Sequence, residues 1–342
     1  MKKKIFEKAK YNGIAVILLA LLVAMFTVGC SDEDLEEYEE YEEEYADDSE
    51  EDEEYDDSEE YADEEGNDDD YAGERDFLSD DEYPRGTADA LEGKIVVMSV
   101  FLNDNTTSWN FESGEDLEAV KKLSGNMGLA MDWIKEQGKK YGKDIEFIYN
   151  WDTDNELFYA IDIDCDFSKG EAHYAEVKTL IDENLREASD VLLDKYKTET
   201  IVYAMYLNEN SDTNMVCQAM PYYGTELGYN MPYEAICLTN WVYGAEQGPA
   251  TYAHEILHVF GAPDYYIADK QGENHGITQE FVDYCESNDM INEIMFSTYD
   301  PYSGTIPMDK VTNDLSDLTA YYVGWIDECP MIEEFGLEAK RR

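Results

Sequence analysis

Residues 254–264 read HEILHVFGAPD. Histidines four apart share one face of a helix, so His254 and His258 can aim imidazole nitrogens at one point. Glu255 sits about 100° round the helix from His254, close enough to act as a base there without being a ligand. Gly261 is where such a helix ends, because glycine takes the left-handed conformation that turns the chain, and Pro263 blocks further helix. The turn would swing Asp264 back toward the same point as a third, carboxylate donor. Two neutral imidazoles, a carboxylate ligand and a separate carboxylate base are the set a divalent metal needs for hydrolysis. An amphipathic helix burying Ile256, Leu257 and Val259 explains the apolar positions but not the histidine spacing, in a chain with only 4 histidines.

These residues resemble the motif of the metzincin zinc endopeptidases, H-E-x-x-H-x-x-G-x-x-H/D, in the aspartate form of the snapalysin-like secreted peptidases. The resemblance implies Zn2+ held by His254, His258 and Asp264, with Glu255 as general base in peptide-bond hydrolysis. It also implies a methionine-containing turn beneath the metal. The stretch NDMINEIMFSTYD (288–300) offers Met295 for it, with Met290 as the alternative. Tyr299 stands where some members carry a tyrosine after that turn, at a larger offset. The family's peptide substrate pairs with a sheet edge just before the motif helix, here within 214–220. Two other third ligands remain open: Glu280, which would match a thermolysin-like arrangement, and His275.

A coarse reading of the chain gives an α/β (α+β) class, a mixed but mostly parallel twisted sheet with the active-site helix and a loop-rich C-terminal subdomain. KIVVMSVF (94–101) is β-branched and apolar and reads as a buried strand. Leu117, Val120, Leu123, Leu129, Met131 and Ile134 follow a helical period over 115–141. DIEFIY (144–149), FYAIDIDCDF (158–167), TIVYAMYL (200–207), MVCQAM (215–220) and EAICLTN (234–240) read as strands, with a long helix over 172–196. Strand–helix–strand order predicts parallel crossovers. The motif helix begins near Pro249, directly after the last strand, and further helices are expected near 279–285 and 315–322. WDTDNEL (151–157) lacks the glycine of an EF-hand and reads as a solvated turn.

The net charge of −57 excludes nucleic acid as a partner. Its distribution divides the chain. Residues 1–30 carry a net charge of +4, with a lysine-rich start and an uncharged run over 14–28 that is short for a membrane span. The run ends in TVGC (27–30), which resembles the lipobox of bacterial lipoproteins and implies that Cys30 is acylated. A plain secretory signal or an uncleaved anchor are the other readings, and all three export the protein. In 31–70, 27 of 40 residues are acidic and none is basic, so 31–87 reads as a disordered acidic tether that cannot offset its own ordering entropy. Residues 88–342 are long enough for one core and form the expected peptidase domain.

The expectation is therefore a monomer on a bacterial cell surface, attached to the membrane only through an N-terminal lipid, that cleaves peptide or protein substrates. The rival is a non-catalytic surface lipoprotein that binds host or cell-wall ligands on a peptidase-like scaffold. Within enzymes, a zinc amidase acting on cell-wall peptides is the other possibility. Export permits disulfides, and Cys285 with Cys329 is the expected pair.

Overall fold

Gly93–Asn103 forms β1, the central strand, and its alternation organises everything around it. Val96, Met98, Val100 and Leu102 pack into one layer, while Ile95, Val97 and Phe101 pack into the other. Both faces are covered, which is why Ile95 to Leu102 reads as an apolar run broken only by the buried Ser99. Each such side chain, taken fully out of water, contributes roughly 1.5–3 kcal/mol.

The computed structural model describes residues 90–340 except 113, 151–154, 166–173, 209–216, 222–230, 243, 269–275 and 288. All of these lie in the compact unit Phe77–Arg342. The expected signal segment with Cys30, the tether over 31–87, His275 and the start of WDTDNEL fall outside the described residues. Among the described residues no helix is long and apolar enough to cross a membrane.

The fold is mixed α/β around a mostly parallel sheet. β2 (Ile145–Tyr149) and β3 (Phe158–Asp162) lie end to end along one edge of β1, both parallel to it. β4 (Thr200–Leu207) runs parallel along its other edge. β6 (Ala235–Leu238) continues the parallel set, and β5 (Gln218–Met220) closes the sheet antiparallel, giving the order β2-β1-β4-β6-β5.

Two layers cover the sheet. On one face lie α1 (Gly114–Lys140) and α4 (Pro249–Val259), together with most of the C-terminal portion. On the other lie α2 (Tyr174–Leu180), a π-helical turn (Ile181–Leu185) and α3 (Arg186–Tyr196). The π turn leaves both Ile181 and Leu185 fully buried and lets Asp182 accept a hydrogen bond from the Tyr233 hydroxyl. In α1 the buried stripe is Val120, Leu123, Met127, Ala130 and Ile134, whereas Leu129, expected inside, is exposed.

The C-terminal portion is loop-rich, with α5 (Gln279–Ser287), a 3-10 turn (Asp289–Asn292), α6 (Asp317–Tyr322) and α7 (Pro330–Glu334). It returns to the start of the fold, where the Trp325 indole donates to the Leu91 carbonyl at 2.7 Å and the Leu91 amide donates to Val323 O at 3.0 Å. A hairpin of β7 (Trp241–Val242) and β8 (Ala245–Glu246) separates β6 from α4, so the motif helix does not directly follow the sheet. Two-residue strands carry no periodic signal, and this hairpin was not legible beforehand.

Gly248 precedes α4 and has no room for a side chain: a Cβ there would stand 2.5 Å from Pro307 O. Gly248→Ala is expected to destabilise the fold by ~1–3 kcal/mol through overpacking against a backbone carbonyl. Gly125→Ala, in the exposed interior of α1 with nothing within 4 Å of the new Cβ, should stabilise by ~0.5–1 kcal/mol. Thermal melts of the two variants check the contrast.

The expected Cys285–Cys329 disulfide is absent; both thiols are free and buried. Burial pushes the Cys217 thiol up to about 12, and raises Cys237 and Cys285 as well. At pH 8 a thiol of pKa about 12 is thiolate in about one molecule in ten thousand. These three should stay unmodified by an aromatic disulfide reagent at pH 8 and react fully once the chain is denatured, as mapped by mass spectrometry.

Candidate metal centre

α4 starts with Pro249 at its first turn and is buried almost all round, lodged among the sheet, α1 and the C-terminal portion. Its close is a glycine turn with two reverse bonds: Gly261 N–H donates to His258 O at 2.9 Å and Ala262 N–H to Leu257 O at 3.1 Å. This is the Schellman arrangement, and Gly261 occupies its left-handed position at φ +98°. The chain reverses there and carries Asp264 back over the last turn of the helix.

Three donor atoms converge as a result. His254 Nε2 and His258 Nε2 are 2.9 Å apart, and Asp264 Oδ1 lies 3.0 Å from the first and 3.2 Å from the second. Among the described residues this is the only group of three or more His, Cys, Asp or Glu side chains close enough to share an ion. A tetrahedral zinc with bonds of ~2.0–2.1 Å would hold its ligands about 3.3 Å apart, so the donor set fits with a few tenths of an ångström of opening. Glu280, weighed as a rival ligand, is exposed on α5 and is not part of this group.

The outer ring nitrogens set the tautomers. His254 Nδ1 lies 2.9 Å from Ile294 O, and His258 Nδ1 lies 2.6 Å from Ala262 O. A carbonyl can only accept, so both Nδ1 atoms carry hydrogen and both inner Nε2 atoms of the neutral rings present lone pairs. Two facing lone pairs at 2.9 Å repel unless a cation sits beside them. Without a metal, that cation is a proton. Burial opposes a charge on His258, but the Asp264 carboxylate outweighs it and pushes the imidazole up to about 9. Burial also opposes the charge on Asp264, yet His258 and His254 hold its carboxyl well below the ordinary carboxylate range.

Glu255 is buried beside the two rings. Burial raises its pKa; His254 and His258 oppose the rise, Asp264 adds to it, and the Ala219 amide, donating to the carboxylate, counters it. A carboxylate with raised proton affinity next to a metal-type triad has the character of a general base. Ala219 lies in β5, so this contact ties the motif helix to the last strand of the sheet. That strand falls within the expected 214–220 edge.

The turn at 293–297 supports the site through its backbone. Ile294 O holds His254, and Met295 O accepts from the amide of Tyr265, the residue after Asp264, at 2.9 Å. Met295 itself is fully buried in the same core as α4, whereas Met290 is only partly buried. Tyr299 contributes through its carbonyl, which accepts from the Asn313 and Ser297 side chains.

Tyr266 escaped the sequence reading. Its ring stacks on His254 with centroids 6.4 Å apart, and the residue remains 49% exposed. Burial of the hydroxyl, the charges of Asp264 and Glu255, and a hydrogen bond donated to Asp264 raise its pKa well above the ordinary phenol. The phenol therefore keeps its proton beside both carboxylates while its residue stays half exposed. Its position two residues after Asp264 was the available signal, but a tyrosine in a chain with 28 of them carries little information.

Gly261→Ala forces a side chain into a left-handed residue whose Cβ would also meet Tyr322 O at 3.4 Å. It is expected to cost ~1–2 kcal/mol of stability. Because the same turn supplies the carbonyl for His258 and returns Asp264, zinc affinity should fall with it, as measured by competition with a chromophoric chelator. No protein-family model, curated protein or solved structure matches the chain.

Proposed function

We propose that this chain is a zinc-dependent endopeptidase of the metzincin kind, exported and held at a bacterial cell surface through a lipid on Cys30. The observation that carries the reading is the meeting of His254 Nε2, His258 Nε2 and Asp264 Oδ1 within 3.2 Å, with both outer nitrogens committed to carbonyls. His254, His258 and Asp264 would hold the ion, which when bound polarises the scissile carbonyl and acidifies the attacking water.

The chain's own residues supply the rest. Glu255 takes the proton from water and returns it to the leaving amine, a task suited to its raised proton affinity. Tyr266 keeps its hydroxyl protonated beside Asp264 and, on releasing that hydrogen bond, can donate to the oxygen on which charge develops. An extended peptide would pair along the outer edge of β5 and so pass Glu255, whose partner amide belongs to that strand. The Met295 turn keeps His254 and Tyr265 in register.

The alternative of a non-catalytic binding protein gives no reason for Glu255. A carboxylate buried in contact with a metal-type triad is costly, and a scaffold that only binds surfaces would gain nothing from keeping it.

The test uses the purified protein. About one zinc per chain is expected, with cleavage of an unstructured protein that chelator abolishes and zinc restores. Glu255→Gln should retain the zinc and lose turnover by about 10²–10⁴-fold. Full turnover in that variant, or a wild-type chain without bound metal, would overturn the assignment. Cleavage of cell-wall peptides alone would move the reading to an amidase.

A further inference from the structure

Glu293 is buried to 1% exposure and directly precedes Ile294, whose carbonyl meets His254. Four donors converge on its carboxylate. Oε1 accepts from the Thr319 hydroxyl at 2.6 Å and from the Ser316 amide and hydroxyl, each at 3.2 Å. Oε2 accepts from the Met295 amide. Burial pushes the Glu293 carboxyl up, and these donors pull it back. The set contains donors only, which suits the charged form.

The position of this carboxylate links two parts of the fold. Ser316 is the N-cap of α6, where its hydroxyl also accepts from the Thr319 amide at 3.3 Å. Thr319 has one hydroxyl hydrogen, and it goes to Glu293. The Tyr265 hydroxyl, 2.9 Å from Thr319 Oγ1, must therefore donate to it. Tyr265 is thus held at both ends, by Met295 O on its amide and by Thr319 on its hydroxyl. One carboxylate anchors the turn that orients His254 and, through Thr319, the residue between Asp264 and Tyr266. Nothing in the motif HEILHVFGAPD calls for a glutamate here.

We infer that Glu293 is a positioning residue for the candidate metal centre: its anion ties the Met295 turn to the start of α6 and thereby fixes the ring of His254 and the return of Asp264. The inference rests on the metal-site reading above. It predicts that loss of the anion loosens the ligands specifically, beyond any general loss of stability.

The experiment compares Glu293→Gln with Leu192→Ala in the full-length chain. Leu192 packs in the layer on the opposite face of the sheet, so that variant loses stability without touching the site. Two quantities are read: zinc affinity by competition, and solvent exchange of the His254 Nδ1 hydrogen by ring-nitrogen NMR of the metal-free protein, which four histidines make tractable. Glu293→Gln is expected to weaken zinc by about 10–100-fold and to speed the His254 exchange by about tenfold, with Leu192→Ala leaving both unchanged. If Glu293→Gln lowers stability as Leu192→Ala does but keeps wild-type affinity and exchange, the positioning role is wrong. Should Glu293→Gln fail to fold, Thr319→Val removes one of the four donors and is judged by the same two readings. If the wild-type chain takes no zinc, the metal reading falls, while the exchange rate still decides whether Glu293 orients His254.

Discussion

Two imidazole lone pairs held 2.9 Å apart are the constraint to which the rest of the site answers. Neutral rings in this position repel one another, and an ordinary core would turn one of them round. Here neither can turn, because each outer nitrogen is bonded to a backbone carbonyl from a different segment. Asp264 adds a carboxylate oxygen at the same point and supplies the negative charge that a cation between the rings requires. The arrangement costs stability when empty of positive charge and recovers it when a proton or a metal ion binds.

That constraint explains features that would otherwise look incidental. The Schellman turn does two things at once: it ends α4 and presents Ala262 O to His258. The Met295 turn supplies the matching carbonyl to His254 and a second one to Tyr265. The loop-rich C-terminal portion is thus part of the site's frame, since Ser316 and Thr319 hold the carboxylate that holds the turn. On the other side, β5 closes the sheet antiparallel and sets an amide against Glu255.

Much of the architecture was legible because its signals are local. β1, apart from Ser99, and β4 are largely apolar runs covered on both faces, and α1 spans nearly the range its periodicity implies. Leu129 is apolar and fits the helical period, yet it lies on the exposed side of α1, while Met127 and Ala130 are buried. The β7–β8 hairpin was missed because two-residue strands have no period. Export makes a Cys285–Cys329 disulfide an expectation, and the fold leaves both as buried thiols.

The sequence by itself determined whatever depends on residues within one or two helical turns. This covers the shared face of His254 and His258, the glycine that ends their helix and the return of Asp264. Only the tertiary structure decided what meets that face from far away: Ile294 O against His254, the Ala219 amide against Glu255, and Glu293 beneath α6. The physical reason is separation along the chain. A helix repeats every 3.6 residues and writes its faces into the sequence, whereas a carbonyl forty residues downstream is brought into place by packing of the whole core and leaves no spacing to read.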